Sequence, residues 1–263
     1  ALNQSQSNQT VGECTREAAV DLLIDVLRKY DARDENLPLV QVVVPGVMAL
    51  EGRYTQAVSE EDEETCRSIA RIITEMAESY TDLLLSDQDM NQSSVIRLVL
   101  MCSRSEDVEV AEVTLRFWYF FVLRWFELRT WDDTKQCWNN REQLKFTLQQ
   151  RYGEAVSMLC IECVRHLTYP TDYDATDKEE VDRFESWRRQ VGDTIGDCCI
   201  FLGSNQVISI LWQQVTAQGP IVAETGNWLR LEGALAAILS AADHRGPESY
   251  DERVDIQDDI ALP

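Results

Sequence analysis

Apolar residues return along this chain at the three- and four-residue steps of an amphipathic helix, with little sign of the two-residue alternation of half-buried strands. Glu13 to Tyr30 carries Ala19, Leu22, Leu23, Val26 and Leu27 at helical spacing, and its other face is charged. Thr65 to Leu85 repeats the pattern with Ile69, Ile72, Ile73, Met76, Tyr80, Leu83 and Leu84. A shorter helix is predicted near Ser94 to Cys102, a long one over Asn140 to Leu167 with Leu144, Leu148, Tyr152, Ala155, Leu159 and Cys163 in step, and another over Val181 to Leu202. Gly203 then supplies a C-terminal stop and Ser204 the next N-cap. So short a turn makes the neighbouring helices antiparallel.

The most apolar stretch, VTLRFWYFFVLRWFELRTW (Val113 to Trp131), is interrupted by Arg116, Arg124, Glu127 and Arg129. A bilayer span needs ~20 mostly apolar residues, so these charges argue against one. At 100° per residue, Arg116, Arg124 and Glu127 fall on one narrow stripe opposite Trp118, Phe121, Val122, Trp125 and Phe126, and only Arg129 breaks the pattern. A helix wetted on so little of its surface must be covered on two or three sides, as in a stack of helices.

Roughly nine helices joined mostly by short loops, at ~40 to 60 residues per pair, predict an all-α HEAT-repeat α-solenoid of antiparallel hairpins stacked into a superhelix. The alternative is one compact helical domain. The expected organisation is a polar N-terminal segment over 1–12, a solenoid of about four to five helical pairs over 13–246, and an acidic tail or inter-helix loop over 247–263. One segment stays ambiguous. In LPLVQVVVPGVMALEGRY, Asn36 caps and Pro38 suits a first turn, yet Val42, Val43 and Val44 suit a strand and Pro45–Gly46 breaks a regular helix.

Charge narrows the partners. With 46 Asp and Glu against 24 Lys and Arg, the net charge is −22, so repulsion opposes encounter with nucleic acid or an anionic membrane, and basic proteins become the fitting class. Two acidic groups stand out as candidate partner-binding residues: Glu60, Glu61, Asp62, Glu63 and Glu64 at a helix start, where the dipole also favours negative charge, and Asp172, Asp174, Asp177, Glu179, Glu180 and Asp182 around a long loop. The second group is favoured, because local capping explains less of it.

No secretory signal opens the chain, and no later run is long enough to span a bilayer, which reads as soluble and intracellular. The absence of an initial Met and the ending at ALP suggest a piece of a longer protein. The eight cysteines, scattered over helical segments, read as reduced apolar residues. Cys160, Cys163 and His166 form a C-x-x-C-x-x-H stripe on one helix, whereas zinc sites take their first pair from a turn and bring a second from elsewhere. No metal and no cofactor is expected. With two His and no nucleophile elbow, phosphate loop or metal-ligand helix, no catalytic residue is assigned and a non-enzyme is expected.

The succession EAAVDLLIDVLRKYDARDENLPLVQVVVPGVMALEGRY, SIARIITEMAESYTDLLL, LVLMCSRSEDVEVAEVTLRFWYFF and VDRFESWRRQVGDTIGDCCIFLGS resembles the middle of the karyopherin-β nuclear transport receptors, in the transportin-SR and importin-thirteen branch. The VEVAEVTLRFWYFF entry into the aromatic helix is its best local marker. The resemblance implies a central fragment of a HEAT superhelix and makes the ambiguous segment a helix bent at Pro45. It further implies a receptor that shuttles between cytoplasm and nucleus, with Ran-GTP, basic or Arg-Ser-rich protein cargo and nucleoporin Phe-Gly repeats as partners. The rival reading is a Ran-independent helical-repeat scaffold or adaptor. The family's N-terminal Ran arch and its arginine-rich cargo helix have no counterpart here, so no functional residue carries over one for one.

Overall fold

The computed structural model describes residues 2–30, 36–86, 92–132, 137–170, 173–217 and 227–243. Among them are eleven α-helices and one two-stranded antiparallel ladder, divided between two compact units, Ala1–Arg124 and Trp125–Pro263. The acidic stretch 247–263 lies outside the described residues. Within each unit the helices stack as in a helical-repeat solenoid.

In the first unit, α1 (Leu2–Lys29), α2 (Leu37–Met48), α3 (Leu50–Ser59) and α6 (Gln92–Ser103) all pack on α4 (Glu63–Ser79). The sequence of α4 dictates this central place, since Ile69, Ile72, Ile73 and Met76 are buried together with the small Ala70 and Ala77. The helix stops one residue before Tyr80, and α5 (Thr81–Leu84) continues the expected Thr65 to Leu85 segment as a separate turn. α1 begins at Leu2, inside the stretch expected to precede the first helix. Its buried stripe is Val20, Ile24 and Leu27, while Leu22, expected in the core, is 66% exposed. Two apolar stripes compete on α1, and packing against α4 selects the one at steps of four and three.

The ambiguous segment is helical. Pro38 sits in the first turn of α2 and Pro45 inside it, and the break falls at Ala49, whose N–H still donates to the Pro45 carbonyl at 3.0 Å. Proline removes one donor and crowds the carbonyl four residues back; α2 nevertheless runs on past Pro45 to Met48, and Ala49, at φ −66° and ψ −15°, hands over to α3.

α7 (Val108–Phe126) is the aromatic helix. In the first unit it buries Phe117, Trp118, Phe121 and Val122, and leaves Glu112, Arg116 and Arg124 exposed. The Trp118 indole N–H donates to Ser103 Oγ of α6 at 2.9 Å, and that hydroxyl lies 2.8 Å from Thr114 Oγ1. All three groups are buried, and satisfying them together removes the penalty of an unpaired polar atom.

In the second unit Trp125 and Phe126 end α7, short of the expected Trp131. Arg129–Asp132 (β1) and Cys137–Asn140 (β2) instead form an antiparallel ladder with Trp131 opposite Trp138. Thr and Trp favour a pleated strand. α8 (Glu142–Leu167) and α9 (Lys178–Leu202) bury long facing stripes. Gly203, at φ +90°, then turns the chain directly into α10 (Ser204–Ala217). α11 (Asn227–Asp243) packs on α8, α9 and α10.

α11 approaches α8 closely at Gly233, where an added Cβ would stand 2.6 Å from Thr168 Oγ1 and 3.0 Å from the Val164 carbonyl oxygen. Gly52 in α3 has nothing within 4 Å of that position. Gly233→Ala is therefore expected to cost ~1 to 3 kcal/mol through overpacking, and Gly52→Ala to gain up to ~1 kcal/mol through helix propensity. Urea denaturation of the two variants checks both signs.

Candidate functional site

The first acidic group is held largely by its own surroundings. Asp62 is the N-cap of α4, its Oδ1 accepting from the Thr65 N–H at 3.0 Å, and the Thr65 hydroxyl and amide hold its carboxyl below the usual range. Arg53 bridges Glu60 at 3.2 Å and Asp62 at 3.6 Å, Gln56 donates to Glu60 at 2.7 Å, and Arg16 of α1 pairs with Glu64. Glu61 takes φ +56° in the turn between α3 and α4, the left-handed region a side chain seldom occupies. Glu63 is exposed in the first turn, where the helix dipole favours it. These five residues shape a turn and a helix start.

The second group divides in two. Asp172 lies outside the described residues. Asp174 Oδ1 accepts from both the amide and the hydroxyl of Thr176, at 2.8 and 2.7 Å, and these bonds pull its pKa down. Asp177 caps α9, accepting from the N–H groups of Glu179 at 2.9 Å and Glu180 at 3.4 Å. Two of the loop's acids thus build the loop. Glu179 and Asp182 project into solvent from the first turns of α9, with Glu180 half-buried between them.

Beside these acids the structure assembles an aromatic cluster that the sequence does not announce. Tyr169, Tyr173 and Phe184 meet with ring centroids 4.8 to 5.4 Å apart, and the Arg188 guanidinium lies 4.7 Å from the Tyr169 centroid while pairing with Glu232 of α11 at 2.7 Å. All three rings are half-buried. The sequence offers one signal for them, the Tyr content of TYPTDYDATDKEE, and its Pro and Asp mark that stretch as a loop.

A second feature is a cleft of about 460 Å³ lined by Trp125, Phe126, Glu142, Lys145, Phe146, Gln149 and Ile200. Lys145 Nζ donates to the Phe126 carbonyl at 2.6 Å and stands over the Trp125 and Phe126 rings, and the Trp125 indole donates back to the Lys145 carbonyl at 3.3 Å. Phe146, at 56% exposed, borders the opening. Trp125 packs at 4.8 Å on Phe201 of α9, which fixes the floor.

The cysteines of α8 and α9 are buried thiols. Hydrogen bonding with Cys160, then burial, raises Cys198 well above the ordinary thiol range; burial leads for Cys163, and pushes Cys199 up to about 11. Such thiols stay protonated at neutral pH and are poor nucleophiles. His166 stands edge-on to Trp187 at 5.4 Å. Among the described residues, no three His, Cys, Asp or Glu groups are placed to hold a metal ion, and no helix is long and apolar enough to cross a membrane.

One carboxylate in the first unit has unusual electrostatics. Glu78 of α4 is pushed up to about 7 by burial, against the opposing pull of Arg116 at 3.6 Å and with Glu75 adding repulsion. Glu75 itself pairs with Arg28 of α1 at 2.8 Å.

The family model of the Transportin-3/Importin-13 second TPR domain matches residues 61–144, from the turn before α4, through the aromatic helix and the hairpin, into α8. Over longer stretches the chain is similar to Transportin MOS14 of Arabidopsis thaliana, 23% identical over 214 residues (79% of this chain, 21% of the relative). It is also similar to the mRNA transport regulator MTR10 of Saccharomyces cerevisiae, 21% identical over 238 residues (86% and 22%), and to Importin-13 of Homo sapiens, 22% identical over 236 residues (86% and 23%). The chain spans about a fifth of the length of these relatives. Together the matches place the likeness with importin-13 and the transportins of the karyopherin-β family.

Because the folded chain holds the Glu78 proton up to about pH 7, the stability that the neutral carboxyl contributes is complete below the unfolded value near 4.5 and is lost as pH rises through 7. At ~1.4 kcal/mol per pH unit of difference, the loss is roughly 3 to 4 kcal/mol. Glu78→Gln is expected to remove this decline, so the variant gains on the parent at pH 8 and matches it at pH 4. Chemical denaturation at the two pH values measures the difference.

Proposed function

We propose that this chain is a segment of a nuclear import receptor of the importin-β type, in the transportin-SR and importin-thirteen branch. It binds cargo, Ran-GTP or both, and helps carry protein cargo such as Arg-Ser-rich splicing factors through the nuclear pore, shuttling between cytoplasm and nucleus. The observation that carries this reading is the family match over residues 61–144, which covers the whole aromatic helix. The work is binding and release. Stacked helices offer edges and clefts for that, and the family-level likeness is to receptors.

The exposed acids at the start of α9 fit a basic partner. Like charges gathered on one surface raise the encounter rate with an opposite charge, and salt weakens the effect over a Debye length of ~8 Å. Glu179, Glu180 and Asp182 serve this role in the proposal; Asp174 and Asp177 support it by holding the loop and capping the helix. The cleft beside Phe146 suits a Phe side chain of a nucleoporin Phe-Gly repeat, with the Trp125 and Phe126 rings as its walls.

The receptor, purified as its source cell makes it, is expected to bind Ran loaded with GTP far better than Ran loaded with GDP. Equal binding, or none, sinks the import reading in favour of a Ran-independent scaffold. Glu179→Gln, Glu180→Gln and Asp182→Asn together should slow association with Ran-GTP or an Arg-rich cargo several-fold at low salt and flatten the salt slope, leaving the melting temperature in place. Asp177→Ala, by contrast, should cost ~1 kcal/mol of stability as a lost cap. Stopped-flow association at three ionic strengths reads the first effect, thermal denaturation the second.

A further inference from the structure

The turn between α3 and α4 carries an exposed hydroxyl at the head of a run of acids. Ser59 is the last residue of α3, and Glu60, Glu61, Asp62, Glu63 and Glu64 follow it directly. Its side chain is open to solvent, and its Oγ donates to the Gln56 carbonyl at 2.7 Å, a bond that engages the proton and not the lone pairs. Among the described residues, no other exposed serine or threonine has more than three acids in its next five positions; Thr176, with three, has Lys178 among them. By themselves such acids cap and solvate a turn, as Asp62 does. A nucleophile at their head gives them a second use. The segment is also cheap to open, because it lies at a helix end. The amides of Glu60, Glu61 and Asp62 close on the carbonyls of Gln56, Ala57 and Val58 at 2.9 to 3.3 Å, and an extended chain would relieve the left-handed φ of +56° at Glu61.

We propose that Ser59 is a phosphorylation site for a kinase whose peptide-binding groove is basic, and that the phosphate loosens the turn between α3 and α4. Carboxylates just after the acceptor pair with such a groove, and the same charges disfavour a kinase that selects basic segments. In the transfer, Ser59 Oγ attacks the terminal phosphorus of a nucleoside triphosphate, the bond from that phosphorus to the bridging oxygen breaks, the nucleoside diphosphate leaves, and the hydroxyl proton passes to a carboxylate of the kinase. The product sets a strong negative charge at the C-terminal end of α3, where the helix dipole is already negative, and beside Glu60 and Glu61. Arg53 bridges Glu60 at 3.2 Å and Asp62 at 3.6 Å, and a phosphate competes for that guanidinium, drawing it from the residue that caps α4. Lost cap support and added repulsion act in the same direction. The inference concerns one helix junction of the first unit and rests on neither the Ran nor the cargo reading.

The test uses the polypeptide as its source cell makes it, stripped of phosphate with alkaline phosphatase and then incubated with ATP and casein kinase II, which selects acidic segments. Peptide mass spectrometry is expected to find a phosphate on Ser59 that Ser59→Ala abolishes; phosphate only at other positions, or none, overturns the site. Glu61→Gln, Glu63→Gln and Glu64→Gln together should slow the modification about tenfold, and an unchanged rate refutes the role given to the acids. Isolated instead with phosphatase inhibitors, the polypeptide is expected to carry the Ser59 phosphopeptide already, and its absence there counts against the proposal. In the phosphorylated protein, amide hydrogen exchange over residues 60–65 should run about fivefold faster than in the parent, with α8 unchanged. Equal or slower exchange at those amides overturns the loosening of the turn.

Discussion

Everything in this chain answers to a helix that has almost no side for water. Beyond its exposed first turn, α7 exposes one stripe of Glu112, Arg116 and Arg124 in the first unit, so the rest of its circumference has to be supplied with neighbours. Its tryptophans also bring a buried N–H each, and the neighbours must therefore be polar at chosen points. In the first unit Ser103 of α6 meets Trp118, supported by Thr114 from α7 itself. In the second, a backbone carbonyl in the first turn of α8 meets Trp125, and Phe201 near the end of α9 covers its ring. Both solutions fix helix positions, because an indole N–H left unpaired in the interior costs more than a displaced contact.

Long stripes were legible and short irregularities were not. α4 and α8 could be read from spacing alone, since several turns of consistent period leave one face to bury. α1 misled because it carries two overlapping stripes, and the choice between Leu22 and Val20 is made by α4, which lies far along the chain. The hairpin after α7 escaped notice because each strand is only four residues, too few for alternation to outweigh the helical period of the aromatic run before it. Pro45 suggested an interruption, but it lies inside α2, which continues to Met48, and the handover to α3 falls at Ala49.

The candidate surface divides along the same line. Acidic residues can be counted in a sequence, but their roles depend on who accepts from whom: Asp62 and Asp177 are caps, Asp174 closes a turn, and Glu179 and Asp182 are left facing water. The aromatic cluster joins Tyr169 and Tyr173 to Phe184 and Arg188 and, through Arg188, to Glu232. That grouping depends on the path of α9 and the seat of α11, neither of which has a local signature. The cleft beside Phe146 likewise takes residues from α7, α8 and α9.

The arginines of the first unit have a consequence at the level of the solution. Arg16, Arg28, Arg53, Arg67, Arg71, Arg97 and Arg116 each lie within 4 Å of a carboxylate, most of them on a different helix. The positive charge is thus paired off at the surface, and the acids in excess are what a distant molecule feels. Copies of the chain behave as small polyanions that hold one another apart while the counterion cloud is thin. Salt, whose screening of such exposed pairs removes little fold stability, collapses that cushion and lets uncharged patches such as the exposed Trp228, Leu235 and Leu239 of α11 come together. Colloidal stability and fold stability therefore respond to ionic strength by separate routes, and a clouding solution at high salt would report the loss of repulsion between molecules that are still folded.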